Sequence, residues 1–393
     1  MRKRFAIAVV GLVAAVLLVL TQAPGAMAAP QGPIKIGVAN SLTGPLSVQG
    51  GPMVNAIKQA FDEENYTVAG RRIELIVEDD EGKPDVGLTK FRKLVERDQV
   101  HILHAVLGTT VALAAAPYVH AQKVPWVTQA ASGALARQLR SPYIFRFVPS
   151  EFQYTYAAAS YLKDKLGWKR VYWMAWDAAV THSGFVAGKK VFGDGVVDVM
   201  WTPVGTADYA PYLAKVDRAK ADGLVLAMWG ADAPRIIRQI SEYGLKKDLP
   251  VFGVASFTSE ELLGGMPPEA EGVLSMYNYC GSLNTPANRR FIEVYRTRNN
   301  TPPGSYQYMA YMGAKMVIQA IKDVAGNVED KEAFLSALRK VKVDGPMGPA
   351  SFDERQGGVF DFYVLKVVKK DGRLQNDCTE KISQVKDPYD LFP

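Results

Sequence analysis

Two short loops rich in glycine and hydroxyl residues are the first candidates for chemistry. Residues 107–110 (Leu-Gly-Thr-Thr) lie between a predicted strand and a predicted helix, and residues 129–133 (Gln-Ala-Ala-Ser-Gly) follow the next strand. Free backbone N–H groups and the helix dipole at a helix N-terminus favour an anion. The alternative is an ordinary helix N-cap and a tight turn. Both loops follow carboxyl ends of strands, where open α/β sheets bind ligands.

Two tryptophans form the second candidate group, because Trp176 and Trp229 each end a predicted strand. Aromatic residues within strands belong to the core more often than to a ligand site. A tryptophan at a strand end can instead present a flat apolar wall to a ligand. We therefore expect these two residues to contact a bound molecule.

Patterns typical of enzymes are missing from the sequence. It contains no nucleophile elbow, P-loop, dinucleotide fingerprint or zinc-protease motif. His101 and His104 lie three residues apart on a predicted strand, so they point to opposite faces and cannot share a metal. His182 and Ser183 are adjacent, with only Asp177 near enough in sequence to complete a triad. We expect no catalytic residue, no metal site and no cofactor.

The elements that must position these residues alternate between short apolar strands and amphipathic helices, which is typical of α/β folds with parallel sheets covered on both faces. A first series runs from the strand 34–38 to the strand 125–128, and a second series runs from the helix 152–166 to the strand 273–279. Three predicted helices follow, over 286–298, 307–325 and 331–339. They lack strands of their own and should pack on the first unit.

The first residues are typical of an export signal. Three basic residues, 2–4, precede an uncharged apolar run of sixteen residues, 5–20, which is shorter than the roughly twenty that span a bilayer. Ala26 and Ala28 suit a signal peptidase, so the predicted signal peptide covers residues 1–28. No cysteine follows at the position that a lipoprotein requires. We expect a periplasmic protein without a lipid anchor.

Charge and length narrow the class of protein further. The formal net charge of +6 falls to +3 when the three basic residues of the signal are removed, and no long basic run remains, which argues against nucleic acid as a partner. The chain after residue 28 is long enough for two lobes. An oxidising compartment permits a bridge between Cys280 and Cys378, and two unpaired thiols are the alternative.

Several short motifs resemble, in order and spacing, those of the leucine/isoleucine/valine-binding periplasmic proteins. They are Ser-Leu-Thr-Gly-Pro at 41–45, Asp-Asp at 79–80 with Pro84, Lys-Val-Pro at 123–125, and Met-Gly-Pro at 347–349 with Phe-Asp at 352–353. The resemblance implies a type I periplasmic binding protein fold with a three-segment hinge near Pro149, Tyr279 and Gly357. Lobe 1 would comprise 29–149 plus 280–357, and lobe 2 would comprise 150–279 plus 358–393.

The same resemblance assigns roles to individual residues. The ligand carboxylate would be held by positions matching Gly108, Thr109, Thr110, Ala130 and Ser132. Second-lobe contacts would come from Trp229 and from a tyrosine position that falls on Thr181 or His182.

Three departures from the family pattern bear on the ligand. The acidic residue that receives the amino group of an amino acid falls on Ala255, and a first-lobe tyrosine is replaced by Gln49. The family's disulfide positions fall on Gly82 and on the 107–108 loop, so that bridge is absent.

These observations predict a monomeric substrate-binding component of an ABC transporter, which closes its lobes on a small carboxylate and delivers it to an inner-membrane permease. The carboxylate need not have an α-amino group, because an ammonium buried without a counter-charge costs several kcal/mol. An aromatic or aliphatic acid is as well matched as a branched-chain amino acid, although Asp177, Asp208 or Asp232 could replace the missing acid. The alternative function is a ligand sensor of the same fold that signals to a regulatory partner.

Overall fold

The computed structural model describes residues 32–44 and 46–392. The predicted signal peptide over residues 1–28 lies outside the described residues.

The first sheet is built from the amino-terminal part of the chain. Its strands are β1 (Ile34–Asn40), β2 (Thr67–Val68), β3 (Arg71–Asp79), β4 (Ile102–His104), β5 (Trp126–Thr128) and β6 (Ile144–Arg146). Their order is β2-β3-β1-β4-β5-β6, and every pair except β2 with β3 is parallel. The connecting helices are α1 (Ser47–Asp62), α2 (Pro84–Arg92) and α3 (Thr109–Gln122).

The second sheet has a parallel half and an antiparallel half. The parallel strands are β7 (Val171–Trp176), β8 (Val196–Thr202), β9 (Gly223–Ala227), β10 (Val251–Val254) and β11 (Leu274–Tyr277). The helices between them are α4 (Glu151–Asp164), α5 (Ala179–Phe192), α6 (Ala210–Leu213), α7 (Asp232–Glu242) and α8 (Glu260–Leu263). All five residues of β9 are buried, as expected for a parallel strand covered on both faces.

The antiparallel half comes from the end of the chain. It comprises β12 (Lys342–Gly345), β13 (Gly348–Phe352), β14 (Gly358–Lys370) and β15 (Arg373–Val385). The sheet order is β12-β13-β14-β11-β10-β9-β7-β8, and β15 pairs with β14. We did not predict β15 from the sequence, because its polar composition lacks the apolar run that marked the other strands.

Three helices follow the parallel half: α9 (Pro286–Asn299), α10 (Ser305–Asp323) and α11 (Lys331–Lys340). α10 packs against α1, and Tyr295 of α9 donates a hydrogen bond to the Pro52 carbonyl at 3.1 Å. Helices late in the sequence thus cover elements of the first sheet.

The chain passes between the two sheets at residues 147–150 and 278–285, and the sheets also meet at the loop 353–357 after β13, where Gly357 pairs with Arg146 of β6. Beside the second passage, a disulfide joins Cys280 to Cys378, with Cα atoms 6.2 Å apart. Near the first passage, the buried carboxylate of Asp387 accepts hydrogen bonds at 2.8 Å from both Arg137 and Arg146. The disulfide therefore ties the C-terminal residues to the second passage, the ion pairs of Asp387 tie them to residues next to the first, and the Tyr389 hydroxyl donates to Asp353 Oδ1 at 3.4 Å beside the loop 353–357.

Candidate functional site

The carboxyl ends of the parallel strands of each sheet lie along one edge. In the first sheet, the register pairs Val38 of β1 with His104 of β4, and His104 with Val127 of β5. The loops after β4 and β5 are therefore neighbours. We call this the first-sheet edge, and the corresponding ends of β7, β9 and β10 the second-sheet edge.

The loop after β4 begins with two residues in the left-handed region. Ala105 has φ 71° and Val106 has φ 87°, an uncommon conformation for a β-branched residue. The strand that the sequence predicted before the 107–110 loop therefore ends at His104. The Leu107 N–H after this turn donates a hydrogen bond to Asn40 Oδ1 at 3.1 Å, a partly buried contact that we did not predict. The one sign of this contact in the sequence was Asn40 itself, a polar residue at the end of a mostly apolar strand.

Gly108 precedes α3 as its N-cap residue, and no side chain caps the helix there. The first N–H groups of a helix have no intrahelical partner, so those of Thr109, Thr110 and Val111 are available to an anion. Thr109 is half-buried and Thr110 is exposed. This end of α3 can thus offer backbone donors together with two hydroxyl groups.

The loop after β5 contains Ala130 and Ser132, both buried. The Ala130 N–H already donates to Thr128 Oγ1 at 3.2 Å. Ser132 Oγ accepts a hydrogen bond from the Ala134 N–H at 3.3 Å, which leaves its hydroxyl proton free to be donated elsewhere. At this loop, Ser132 is the better donor to an anion.

Trp176 and Trp229 meet at the second-sheet edge. Their ring centroids lie 4.7 Å apart with an interplanar angle of 58°. Both side chains are partly exposed. Together they form an apolar surface that can pack against a flat ligand, because aromatic rings favour offset or tilted contacts with one another.

Asp232 fixes this tryptophan pair and is itself neutralised. Its buried carboxylate accepts hydrogen bonds from Trp176 Nε1 at 2.7 Å and from the Gly205 N–H at 2.8 Å. Its other oxygen accepts one from Arg235 Nη1 at 2.6 Å. The Asp232 carboxylate is therefore already paired with the Arg235 guanidinium.

Thr181 and His182, at the start of α5, have partners within the protein. The buried Thr181 hydroxyl lies 2.6 Å from the Trp176 carbonyl, to which it donates. His182 Nε2 lies 2.7 Å from Asp177 Oδ1, and its ring stacks on Trp201 at 3.8 Å. Thr181 supports Trp176, while His182 lies beside β8, the outer strand of the sheet.

Ala255 directly follows β10, is buried and has φ 54°. Of the acids that could replace a carboxylate at this position, Asp177 is paired with His182, and Asp232 with Arg235. Asp208 is exposed and accepts a hydrogen bond from the Ala210 N–H. None of these three carboxylates is both buried and unpaired.

Gln49, in the first turn of α1, lines a groove of about 670 Å³ beside the second passage. Among the residues that the structure describes, no cluster of histidine, cysteine, aspartate or glutamate could hold a metal ion. A search of the same residues finds no helix long and apolar enough to cross a membrane.

Comparison with known proteins agrees with this architecture. Residues 33–373 match the family model described as periplasmic binding protein. The chain is 25% identical over 366 residues to Leu/Ile/Val-binding protein homolog 6 of Brucella suis, covering 90% of this chain and 93% of that protein.

Two solved structures are similar over nearly their whole length. An ABC transporter substrate-binding protein from Sphaerobacter thermophilus has 32% identity and a TM-score of 0.87, covering 90% of this chain and 99% of that one. A solute-binding protein of an ABC transporter from Rhodopseudomonas palustris BisB5, in complex with 3,4-dihydroxybenzoic acid, has 29% identity and a TM-score of 0.83, covering 92% and 100%. The chain belongs to the periplasmic binding protein family and has the type I fold of ABC transporter substrate-binding proteins.

Proposed function

We propose that this protein captures an aromatic carboxylic acid of the hydroxybenzoate class in the periplasm and delivers it to the permease of an ABC importer. The observation that carries the proposal is the second-sheet edge, where a tryptophan pair lies beside an aspartate that Arg235 already neutralises.

An amino acid is a poorer match to this edge. Its ammonium group needs a buried counter-charge, because a buried ion without one costs several kcal/mol. Ala255 cannot supply it, and Asp232 is engaged by three donors. The similar protein from R. palustris in complex with 3,4-dihydroxybenzoic acid supports the same ligand class.

The carboxylate end of the ligand would bind at the first-sheet edge. Thr109, Thr110 and Ser132 offer hydroxyl groups there, and the start of α3 offers backbone N–H groups. Hydrogen bonds to an ionised acceptor are roughly twice as strong as neutral ones. The ring would then pack on Trp229 as the lobes close and ligand binding shifts the open–closed equilibrium.

The remaining assignments complete the proposal. Lobe 1 comprises residues 29–149 and 280–357, and lobe 2 comprises 150–279 and 358–393. The protein acts as a monomer and catalyses no reaction. Cleavage after Ala28 releases it into the periplasm, so N-terminal sequencing of the exported protein should begin at Ala29.

A thermal-shift panel tests the ligand class. A ligand present at about a hundred times its dissociation constant adds about 2.7 kcal/mol to the free energy of unfolding. We expect stabilisation by 4-hydroxybenzoate and 3,4-dihydroxybenzoate, and none by 4-hydroxybenzyl alcohol, which lacks the carboxylate. Stabilisation by leucine and valine without any response to the aromatic acids would contradict the proposal.

A further inference from the structure

The groove beside the second passage carries two carboxylates that the proposed function does not use. Glu260 and Glu261, at the start of α8, line it together with Tyr279 and with Asn376 of β15. We call this the acidic groove. Its apolar walls include Leu263 of the same helix, together with Pro52, Tyr295 and Pro302 from other parts of the chain.

Both carboxylates lack a positive partner. Glu260 Oε1 accepts hydrogen bonds from the Gly281 N–H at 2.8 Å and from Asn376 Nδ2 at 3.2 Å. Among the residues that the structure describes, no lysine, arginine or histidine nitrogen forms an ion pair with Glu260 or Glu261. Arg296 and Glu261 are both exposed residues of the groove lining, and they do not form an ion pair with each other.

The Glu261 carboxylate reaches across to the loop before α10. A Cβ atom at Gly304 would lie 2.0 Å from Glu261 Oε2, so the close approach requires glycine. Glu260 is half-buried, and desolvation by the surrounding protein raises the pKa of its carboxyl to about 7. The site holds negative charge at a cost that a cationic ligand would remove.

Two buried polar atoms at the groove also lack partners. The Tyr279 hydroxyl, in a residue only 1% exposed, makes no hydrogen bond. Burial, and then the charges of Glu260 and Glu261, raise the pKa of this hydroxyl, and all three residues line the same groove. Asn376 Oδ1, also buried, is likewise unpaired. Buried polar groups normally have partners, so these two oxygens point to an absent hydrogen-bond donor.

We propose that the acidic groove binds a primary ammonium ion carried on an apolar body. An ammonium group has three donors and no acceptor, which matches two carboxylates and the unpaired oxygens of Tyr279 and Asn376. The ring of Tyr295 and the side chains of Pro52 and Leu263 would contact the apolar body. Gln49 lines the groove, but none of Gly108, Thr109, Thr110, Ala130 and Ser132 does, and the inference does not depend on the ligand class proposed for the first-sheet edge.

Isothermal titration calorimetry with benzylamine tests this inference, with benzyl alcohol as the uncharged probe. We expect saturable one-site binding of benzylamine and at least about tenfold weaker binding of benzyl alcohol, since charge-assisted hydrogen bonds are lost. Glu261→Gln and Glu260→Gln should each weaken benzylamine binding about tenfold or more. Glu332→Gln, which neutralises an exposed glutamate on α11, should leave it unchanged.

Equal affinities for benzylamine and benzyl alcohol would overturn the inference, and so would wild-type benzylamine affinity in both groove variants. A third arm repeats the titration with increasing 3,4-dihydroxybenzoate. If the apparent Kd for benzylamine rises in proportion to the acid, the two probes share one site and the separate ammonium site is refuted. An unchanged Kd supports it, whether or not the acid itself binds.

Discussion

The two strand-end edges of this protein share one architecture but offer a ligand different chemistry. At the first-sheet edge, small residues follow the strands and expose helix N–H groups and hydroxyls, as at Gly108 and Ser132. At the second-sheet edge, Trp176 and Trp229 follow the strands, and the nearby Asp232 is neutralised by Arg235. One edge therefore suits an anion, and the other suits a flat apolar group.

The difference shows where specificity is encoded in such a fold. Parallel strands bring their carboxyl ends together whatever residues follow them. The residues after the strands then decide which functional group is recognised. Asp177 and Asp232 are paired and Asp208 is exposed, so none of these three acids replaces the carboxylate that Ala255 lacks.

The largest expected effect comes from restoring the missing acid. Ala255→Glu places a carboxylate at the second-sheet edge, where it would repel an ionised aromatic acid. The new carboxylate would also lose hydration at this buried position. We expect the affinity for 3,4-dihydroxybenzoate to fall by about 100-fold or more, since each 1.4 kcal/mol is tenfold. Calorimetry measures this, with Ala255→Gln as the control of similar size. Equal losses in both variants would mean that bulk, not charge, is responsible.

A smaller effect is expected from removing the apolar wall. Trp229→Ala deletes a contact surface worth about 2–3 kcal/mol, so affinity for the aromatic acid should fall roughly 30- to 100-fold. Trp229→Phe should recover much of the loss. Tyr243→Ala, which removes an exposed aromatic residue on the same lobe, serves as the control. Unchanged affinity in Trp229→Ala would show that the ligand ring does not contact the second-sheet edge.

The sequence predicted the α/β class and the strands that precede the two loops and the two tryptophans, because strand patterns are local properties. It did not anticipate the left-handed turn at Ala105 and Val106, since nothing in their side chains favours positive φ. Nor did it decide whether Cys280 and Cys378 pair. They lie 98 residues apart, and only the packing of β15 on β14 brings them together.

The ion pair between Asp232 and Arg235 could not be predicted from the sequence pattern alone. Arg235 lies three residues later on α7, so an ion pair was geometrically possible. That the same carboxylate also accepts a hydrogen bond from Trp176, 56 residues earlier, depends on the tertiary fold. Long-range contacts of this kind decide whether an acid is free for a ligand.

At the first-sheet edge, Thr109→Val should weaken binding of the aromatic acid about tenfold, because one hydrogen bond to an ionised carboxylate is worth roughly 1.5–3 kcal/mol. The backbone N–H groups remain in this variant, which limits the loss. Thr89→Val on α2 is the matched control. If Thr109→Val binds as tightly as wild type, the hydroxyl does not contact the carboxylate.

A further expected effect concerns stability rather than binding. The folded protein raises the pKa of Glu260 from 4.5 to about 7, so between these pH values the folded state holds a proton that the unfolded chain has released. Stability is therefore greatest below about pH 4.5 and is lost as the pH rises through 7. Urea unfolding should show Glu260→Gln gaining on wild type across this range, by an amount on the order of 1–3 kcal/mol. Glu332→Gln should show no such trend.

A crystal structure of the protein with 3,4-dihydroxybenzoate tests the contrast between the two edges most directly. We predict the ligand carboxylate within hydrogen-bond distance of Ser132 and the start of α3, and the ring against Trp229. A reversed ligand, with its carboxylate at the second-sheet edge beside Arg235, would contradict the account.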